Sequence, residues 1–223
     1  MFKENPSEIT VLGAGSWGTA LALLVARSHN NVILWSKNSS HISAMIKTGY
    51  NERYLPGISL AKNITLTSNL GNAITSKKIV IAVPSHGFRA LLVNLRALLE
   101  SQQKKPVICW GTKGFEPDTA LLLKEVFDQV LENKAIPSTI SGPSFALEVA
   151  NSLPTALTVA GESYQQTAIV AEWFRDKRTR VYTSTDMCGV QISGAIKNVI
   201  AIAVGISDGL GFGANARAAL ITR

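Results

Sequence analysis

Cysteine and histidine are scarce in this chain of 223 residues, which contains two cysteines and three histidines. Cys109 and Cys188 lie far apart, each flanked by apolar or aromatic residues, and His29, His41 and His86 are scattered. Neither set has the spacing of metal ligands, so we expect no metal site. The cysteine usage is typical of reduced, buried thiols in a reducing compartment.

Long apolar runs and a signal peptide are also lacking. The segment Met1–Pro6 has no hydrophobic core of the kind that a signal peptide needs. The apolar runs Thr19–Ala26 and Val199–Ile206 are too short to span a bilayer. We therefore expect a soluble, cytoplasmic protein without a membrane span.

Long runs of basic residues are lacking too, although the net charge is +7, from 22 basic and 15 acidic residues. The basic residues form short pairs such as Lys77–Lys78 and Lys104–Lys105, without interleaved aromatic residues. This pattern argues against a nucleic-acid partner. It favours a basic surface around a site for an anionic small molecule.

The part of the chain before residue 185 alternates short β-branched runs with helical stretches. The predicted strands are Ile9–Leu12, Asn31–Trp35, Ile64–Thr67, Lys78–Val83, Pro106–Trp110, Ser138–Ser141, Thr155–Ala160 and Arg180–Thr183. The predicted helices are Thr19–Ser28, Ser40–Thr48, Phe88–Glu100, a helix capped by Asp118 that runs to Leu131, and Tyr164–Phe174. This alternation predicts an α/β fold, a doubly wound parallel sheet with helices on both faces.

After Asp186 the strand signals stop. Two helix-like segments follow, Gly189–Gly205 and Ala214–Thr222. We therefore expect one domain over residues 1–186 and the beginning of an all-α second domain over residues 187–223.

A glycine-rich element joins the first predicted strand to the first predicted helix. Residues Gly13–Gly18 read GAGSWG, a G-x-G-x-x-G pattern in the strand–turn–helix context where it binds a dinucleotide. Gly13 permits the tight turn, Gly15 lets the backbone approach a pyrophosphate, and Gly18 lets the helix pack on the strand. The N–H groups of the first helical turn then face the anion. This predicts a Rossmann-type dinucleotide-binding domain; a glycine-rich turn without a ligand is the alternative.

The end of the second predicted strand lacks the acidic residue that usually holds the ribose hydroxyls of NAD. It reads Leu34–Asn38, in which Lys37, with Ser36 beside it, would attract a 2′-phosphate instead. This favours NADP(H) as the cofactor, and NAD(H) stays open. A solvated surface lysine is the alternative interpretation of Lys37.

Two loops follow the fourth and fifth predicted strands, at the sheet edge where ligands of such folds bind. They are Val83–His86 and Gly111–Gly114. Lys113 lies between two glycines and is well placed to meet an anionic or carbonyl oxygen, with a surface lysine as the alternative. His86 has no visible partner in the sequence, which is typical of an incidental loop histidine.

Lys197 lies in the segment Gly189–Gly205, whose other residues are almost all small or apolar. So long an apolar segment predicts a buried helix. Burial of an ammonium lowers its pKa unless a partner holds the charge. An amine with a lowered pKa suits general acid/base catalysis. The alternative is a lysine whose stem is buried while its head reaches water.

Five elements match a known enzyme family in order along the chain. They are Gly13–Ala22, Gly111–Gly114, Ile140–Ala146, Gly194–Asn198 and Gly211–Arg217. With them the chain resembles the bacterial NAD(P)-dependent glycerol-3-phosphate dehydrogenases over essentially its whole length. The Gly-Ala-x-Lys-Asn element around Lys197 is far more specific than the dinucleotide fingerprint.

The resemblance implies reversible reduction of dihydroxyacetone phosphate to sn-glycerol 3-phosphate for glycerophospholipid synthesis. It also implies roles for particular residues. Lys197 falls on the general acid/base of the family. The cofactor-contacting positions are Ser16, Trp17, Lys37, Lys113 and Ala146, beside the fingerprint glycines Gly13, Gly15 and Gly18. The substrate-contacting positions are Lys113, Gly142, Ser144 and Asn198.

The chemistry of this reaction agrees with the residues. A hydride from the nicotinamide attacks the ketone carbon, and the developing alkoxide needs a proton and a positive field. Lys197 supplies both as an ammonium, and Lys113 adds charge near the substrate. Two alternatives stay open: another β-hydroxyacid-type NAD(P) dehydrogenase, against which the loops Gly111–Gly114 and Gly142–Ala146 count, and a non-catalytic dinucleotide-binding module.

Members of that family are longer than this chain. The resemblance places an arginine–asparagine pair for the substrate phosphate, and an aspartate near the catalytic lysine, in a helical portion beyond Arg223. It also implies a homodimer of the full-length protein through the second domain. The last predicted helix has no stop signal, so we expect a truncated form in which cofactor binding survives better than turnover.

Overall fold

The computed structural model describes residues 8–102 and 105–222. The expectations for Met1–Pro6, Lys104 and Arg223 lie outside these residues. Within them the chain forms a large mixed sheet with helices on both faces, followed by two helices.

Eight strands form the main sheet, and two more form a hairpin at its side. The strands are β1 Glu8–Leu12, β2 Asn31–Trp35, β3 Tyr50–Asn51, β4 Leu55–Ser59, β5 Ile64–Thr67, β6 Lys78–Ile81, β7 Val107–Trp110, β8 Ile136–Ser141, β9 Thr155–Gly161 and β10 Thr179–Ser184. The order in the sheet is β10-β9-β8-β7-β6-β1-β2-β5, and every neighbouring pair is parallel except β8 with β9. The predicted parallel sheet is therefore confirmed, with one antiparallel pair. The chain reverses its winding between β1 and β6, where a doubly wound fold binds its ligand.

The helices alternate with these strands along the chain. They are α1 Ser16–Ala26, α2 Ser39–Thr48, α3 Leu70–Ala73, α4 Phe88–Gln102, α5 Leu123–Leu131, α6 Ala146–Ala150, α7 Tyr164–Phe174, α8 Met187–Gly209 and α9 Gly213–Thr222, with a short 3₁₀ turn at Ser85–Gly87. Each strand and long helix predicted from the sequence is present, with ends that differ by a few residues.

Both faces of the sheet are covered by helices, because side chains alternate between the faces along each strand. Val32 and Leu34 of β2 point into the core under α1, α6 and α7. Ile33 and Trp35 point into the opposite core, under α4 and α5. This arrangement confirms the doubly wound fold.

The prediction that Asp118 caps a helix is wrong. Helix α5 begins at Leu123, and the Leu122 N–H donates to the Glu125 carboxylate at 2.7 Å. Asp118 lies in the preceding turn with a left-handed φ of 69°, a conformation that aspartate tolerates better than most residues. The loop is held instead by Glu116, which accepts from Thr119 Oγ1 at 2.7 Å and pairs with Arg89.

The prediction that the segment around Lys197 is a buried helix is half right. Helix α8 forms, and it begins where the Asp186 carboxylate accepts from the Gly189 N–H at 2.8 Å. Its first half contacts α5 through Gln191 and β8 at Gly194. Near its end, Asp208 pairs with Arg217 of α9. Most of its side chains, including that of Lys197, are exposed. Cys188, predicted to be buried, is exposed at the start of the same helix.

Helix α8 is also longer than the apolar run that predicted it. Within the described residues it is the one helix long and apolar enough to cross a membrane, judged by length and composition only, and 17% of its most apolar window is buried. The sequence indicated that the apolar run Val199–Ile206 is too short to span a bilayer. The helix that contains this run has 23 residues, so the argument from length does not hold. A single helix that passes this test is weak evidence for a span, since core helices pass it too.

Candidate active site

A cleft of about 950 Å³ opens at the carboxyl ends of the central strands. It lies at the switch between β1 and β6, which is where the fold predicts a ligand. Its walls come from the loops after β1, β2, β6 and β7, from the β3–β4 turn, and from Ser144, Ala146 and Lys197. Chemistry-bearing residues from distant parts of the sequence therefore meet in one cavity.

The glycine-rich loop after β1 is shaped by backbone contacts at its first and third glycines. Gly13 has a φ of 119°, and a Cβ there would lie 2.9 Å from the backbone of Ala82. A Cβ on Gly18 would lie 1.8 Å from the carbonyl oxygen of Gly13. A Cβ on Gly15 would meet no atom within 4 Å. The fold thus requires Gly13 and Gly18, whereas the space at Gly15 is open to a ligand.

The start of helix α1 is suited to an anion. Its first turn contains no acidic residue, and no side chain caps it. The N–H groups of that turn therefore keep their partial positive charge for the cleft. Ser16 and Trp17 of this turn both line the cavity.

Trp17 connects the glycine-rich loop to the loop after β7. Its indole Nε1 donates to the Gly111 carbonyl oxygen at 3.1 Å. A Cβ on Gly111 would lie 2.7 Å from that nitrogen, so the close approach of the two loops depends on a glycine. The ring face of Trp17 lies 6.0 Å from Lys113 Nζ, which is within the range of a cation–π contact.

Two lysines converge at one end of the cleft. Lys113 is half-buried, and its Nζ donates to the Gly142 carbonyl oxygen at 3.2 Å. Burial lowers the pKa of Lys113, and the positive charge of Lys197 lowers it further. Lys197 is exposed to the cleft, with Nζ 6.0 Å from the ring of Phe145. The lysine whose pKa burial lowers is thus Lys113.

Helix α8 can approach Lys113 because Gly194 has no side chain. A Cβ on Gly194 would lie 3.0 Å from Ser141 Oγ and 3.6 Å from Cγ of Lys113. Lys197 follows one helical turn later, on the same side of α8. The Gly-Ala-x-Lys spacing therefore has a physical reason, since its glycine provides the contact that brings its lysine to the cleft.

Some of the other predicted site residues border the cleft, and two of them do not. Lys37, Ser144 and Ala146 line the cleft. Gly142 contributes its carbonyl oxygen, which accepts from Lys113 and from Ser144 Oγ, both at 3.2 Å. Gly18 packs behind the loop, and Asn198 is exposed on α8 outside the cavity wall. Within the described residues, no group of three or more histidine, cysteine, aspartate or glutamate side chains is placed to hold a metal ion.

Sequence reasoning missed three side chains near the cleft. Arg53 and Tyr54 line it from the β3–β4 turn, a hairpin too short to give a strand pattern. Phe145 lies beside Lys197 and is 70% exposed. The available signal was an aromatic residue directly after Gly142–Ser144, a segment already predicted to contact the substrate. His86 also lines the cleft, although a partner for its ring is not found in the described part of the chain.

We expect the pKa of Lys113 to rise when Lys197 is replaced by methionine, because a neighbouring positive charge is then removed. Burial remains, so the pKa should stay below that of a free lysine. Competitive acetylation across a pH series, quantified on the peptide that contains Lys113, measures this change. Lys177→Met, which removes an exposed lysine away from the cleft, is the matched control. An unchanged labelling curve would show that the two amines do not interact.

The fold and the cleft together define a Rossmann-type dinucleotide-binding protein with a lysine-rich second subsite. Residues 8–167 match the family described as NAD-dependent glycerol-3-phosphate dehydrogenase N-terminus, and residues 186–223 match the corresponding C-terminus. The chain therefore belongs to the NAD-dependent glycerol-3-phosphate dehydrogenase family.

Several relatives cover nearly all of this chain. It is 46% identical over 217 residues to a glycerol-3-phosphate dehydrogenase [NAD(P)+] of Bartonella henselae. The match covers 96% of this chain and 63% of the relative. The corresponding protein of Nitrosococcus oceani is 48% identical over 222 residues, 99% of this chain and 63% of the relative. A crystal structure of glycerol-3-phosphate dehydrogenase from Coxiella burnetii superposes with a TM-score of 0.86 at 43% identity, covering 97% of this chain and 65% of that one. The chain thus spans slightly less than two thirds of the length of these relatives.

Proposed function

We propose that the cleft carries out NAD(P)H-dependent, reversible reduction of dihydroxyacetone phosphate to sn-glycerol 3-phosphate. One observation carries this proposal: Lys113 and Lys197 converge at one end of a dinucleotide cleft in a chain of the glycerol-3-phosphate dehydrogenase family. Two positive charges in one subsite suit a substrate that bears a phosphate and develops an alkoxide. The β-hydroxyacid alternative has no comparable support, because the family match covers both parts of the chain.

The residues at the glycine-rich end fit a dinucleotide. The open space at Gly15 and the uncapped first turn of α1 would receive the pyrophosphate. Ser16, Trp17 and Ala146 line the adjoining wall, and Lys113 lies beyond Trp17. When bound, the nicotinamide supplies or accepts the hydride.

The protein's own groups handle the charge and the proton. Lys197 as an ammonium donates a proton to the developing alkoxide oxygen in reduction, and as an amine it accepts the proton in oxidation. Lys113 adds positive charge beside the substrate and is not consumed in the reaction. Ser144 and the backbone at Gly142 border the same subsite, and Asn198, next to Lys197, would orient the substrate once it is bound.

The finer features of the proposal follow from the same residues. Lys37, at the end of β2, favours NADP(H) over NAD(H) through the 2′-phosphate. We place the division between the dinucleotide-binding domain and the beginning of the helical domain at residues 186 and 187. We also propose a cytoplasmic homodimer that serves glycerophospholipid synthesis.

A second candidate applies to this chain taken alone, namely dinucleotide binding without turnover. The exposure of Lys197 and of the second half of α8 favours it, because a proton donor open to water is poorly insulated for catalysis. The chain also spans only 63% of its curated relatives.

The two candidates are separated by one pair of measurements on this chain. Dinucleotide binding is followed by the fluorescence of Trp17 and Trp35, which both line the cleft. Turnover is followed by the loss of NADPH absorbance when dihydroxyacetone phosphate is added, with unphosphorylated dihydroxyacetone as the control substrate. We expect dinucleotide binding to survive better than turnover in this chain. Binding together with turnover that requires the phosphate would support the first candidate. Binding without turnover would support the second candidate. If neither binding nor turnover is observed, both candidate functions are wrong.

A further inference from the structure

The turn between β3 and β4 forms one wall of the cleft and packs on His41 in the first turn of α2, the helix that follows Lys37 in the chain. Arg53 and Tyr54 of this turn line the same cavity as Ser36 and Lys37. The turn thus brings a second cationic side chain to the end of the cleft where the proposed function places the adenosine ribose.

The turn is tied to the glycine-rich loop by Asn51, which is fully buried. Its amide nitrogen donates to the Ala14 carbonyl oxygen at 3.0 Å and to Thr19 Oγ1 at 2.7 Å. Its amide oxygen accepts from the Tyr54 N–H at 3.3 Å and from His41 Nε2 at 2.9 Å. A buried and fully paired amide holds the turn at a fixed position relative to the loop.

The aromatic rings of the turn continue this chain of contacts to Arg53. The ring of His41 meets the ring of Tyr54 edge-on, with centroids 5.2 Å apart. The guanidinium carbon of Arg53 lies 5.2 Å from the centroid of the Tyr54 ring, in the range of a cation–π contact. Arg53 is therefore supported on its turn although it is exposed.

Arg53 also keeps its charge available for a ligand. Across residues 8–102 and 105–222, neither Arg53 nor Lys37 forms an ion pair with a carboxylate, whereas Arg89 and Arg96 each do. A guanidinium presents a planar fork of donors that matches a phosphate in two hydrogen bonds, which an ammonium does not.

We infer that Arg53 is a specificity-determining residue that binds the 2′-phosphate of NADP(H) from the hairpin side of the cleft, while Lys37 binds it from the strand side. The inference rests on the proposed dinucleotide function. The inference goes beyond that function because it assigns the choice between NADP(H) and NAD(H) to the guanidinium of Arg53, which lies outside the sequence around β2.

The test compares the Kd for NADPH with the Kd for NADH in Arg53→Gln, measured by tryptophan fluorescence. Loss of a charged, two-donor phosphate contact should raise the Kd for NADPH about tenfold. The Kd for NADH should stay within about twofold, since NADH has no 2′-phosphate. Arg53→Lys should fall between the wild type and Arg53→Gln, because it keeps the charge and loses the fork.

The control variant is Lys47→Gln, which removes an exposed positive charge from α2 outside the cleft. It should leave both Kd values unchanged. In the double variant Lys37→Gln/Arg53→Gln, the losses should be non-additive if both side chains hold one phosphate. Competition by adenosine 2′,5′-bisphosphate, but not by AMP, should weaken in parallel with NADPH.

Equal losses for NADPH and NADH in Arg53→Gln would overturn the inference, since they would place Arg53 on a part common to both cofactors. No loss for either would overturn it as well. In both cases the proposed function would stand. If the unchanged protein binds neither dinucleotide, the proposed function and the inference fail together.

Discussion

Replacing Lys197 by alanine should lower kcat on the order of a thousandfold, the usual loss when a positioned general acid/base is removed. The dinucleotide Kd should change little, because the proposal assigns Lys197 to the substrate oxygen and not to the dinucleotide. Steady-state kinetics with dihydroxyacetone phosphate, in a form of the protein that turns over, measures the first quantity, and tryptophan fluorescence measures the second.

Two further variants separate proton transfer from simple charge. Lys197→Arg keeps a positive charge, but a guanidinium does not give up its proton near neutral pH, so it should fail almost as completely as Lys197→Ala. Lys177→Ala removes an exposed lysine away from the cleft and should leave kcat unchanged. If Lys197→Ala keeps its kcat, the acid/base assignment is wrong. Lys113, the amine whose pKa burial lowers, would then be the first candidate to replace it.

The positions of the strands and of the glycine-rich loop could be predicted because local rules decide them. In Gly13–Gly18 the first glycine has a positive φ, and the third makes a close backbone contact. Glycine accommodates both better than any other residue, so the spacing of the glycines in the sequence alone predicts this turn. Strands such as β6, buried on both faces, give continuous apolar runs for a similar reason.

The environment of Lys197 could not be predicted in the same way. An apolar sequence indicates that a segment can be buried, but burial depends on which other elements pack against it. Near the end of α8, Asp208 pairs with Arg217 of α9, and the lysine is exposed. The half-burial of Lys113 depends likewise on the approach of α8 at Gly194, a contact between residues that are far apart in sequence.

The β3–β4 turn shows a third kind of limit. Its strands have two and five residues, too few for a periodic pattern, and one buried amide, Asn51, ties it to the glycine-rich loop. A single asparagine in a loop predicts no such role. Arg53, which we assign to cofactor choice beside the predicted Lys37, could therefore not be identified until the tertiary structure placed it at the cleft.

Two glycines of the fingerprint, Gly18 and Gly15, should respond differently to the same added methyl group. Gly18→Ala should destabilise the fold by about 3 kcal/mol, the upper end of the usual cost of overpacking. The new Cβ would lie 1.8 Å from the Gly13 carbonyl oxygen, so α1 has to move away from the loop. Thermal unfolding should show the change as a fall in Tm of about 6–12 °C for a chain of this size.

Gly15→Ala should leave the Tm unchanged and still weaken dinucleotide binding strongly. Its φ of −77° suits alanine, and its Cβ would meet no protein atom within 4 Å. That Cβ would instead occupy the space through which a pyrophosphate approaches the N–H groups of α1. We expect the Kd for NADPH and for NADH to rise on the order of a hundredfold, two tenfold steps on the affinity scale. A stable Gly15→Ala variant that binds normally would show that the cleft does not hold a dinucleotide at this loop, and the proposed function would lose its foundation.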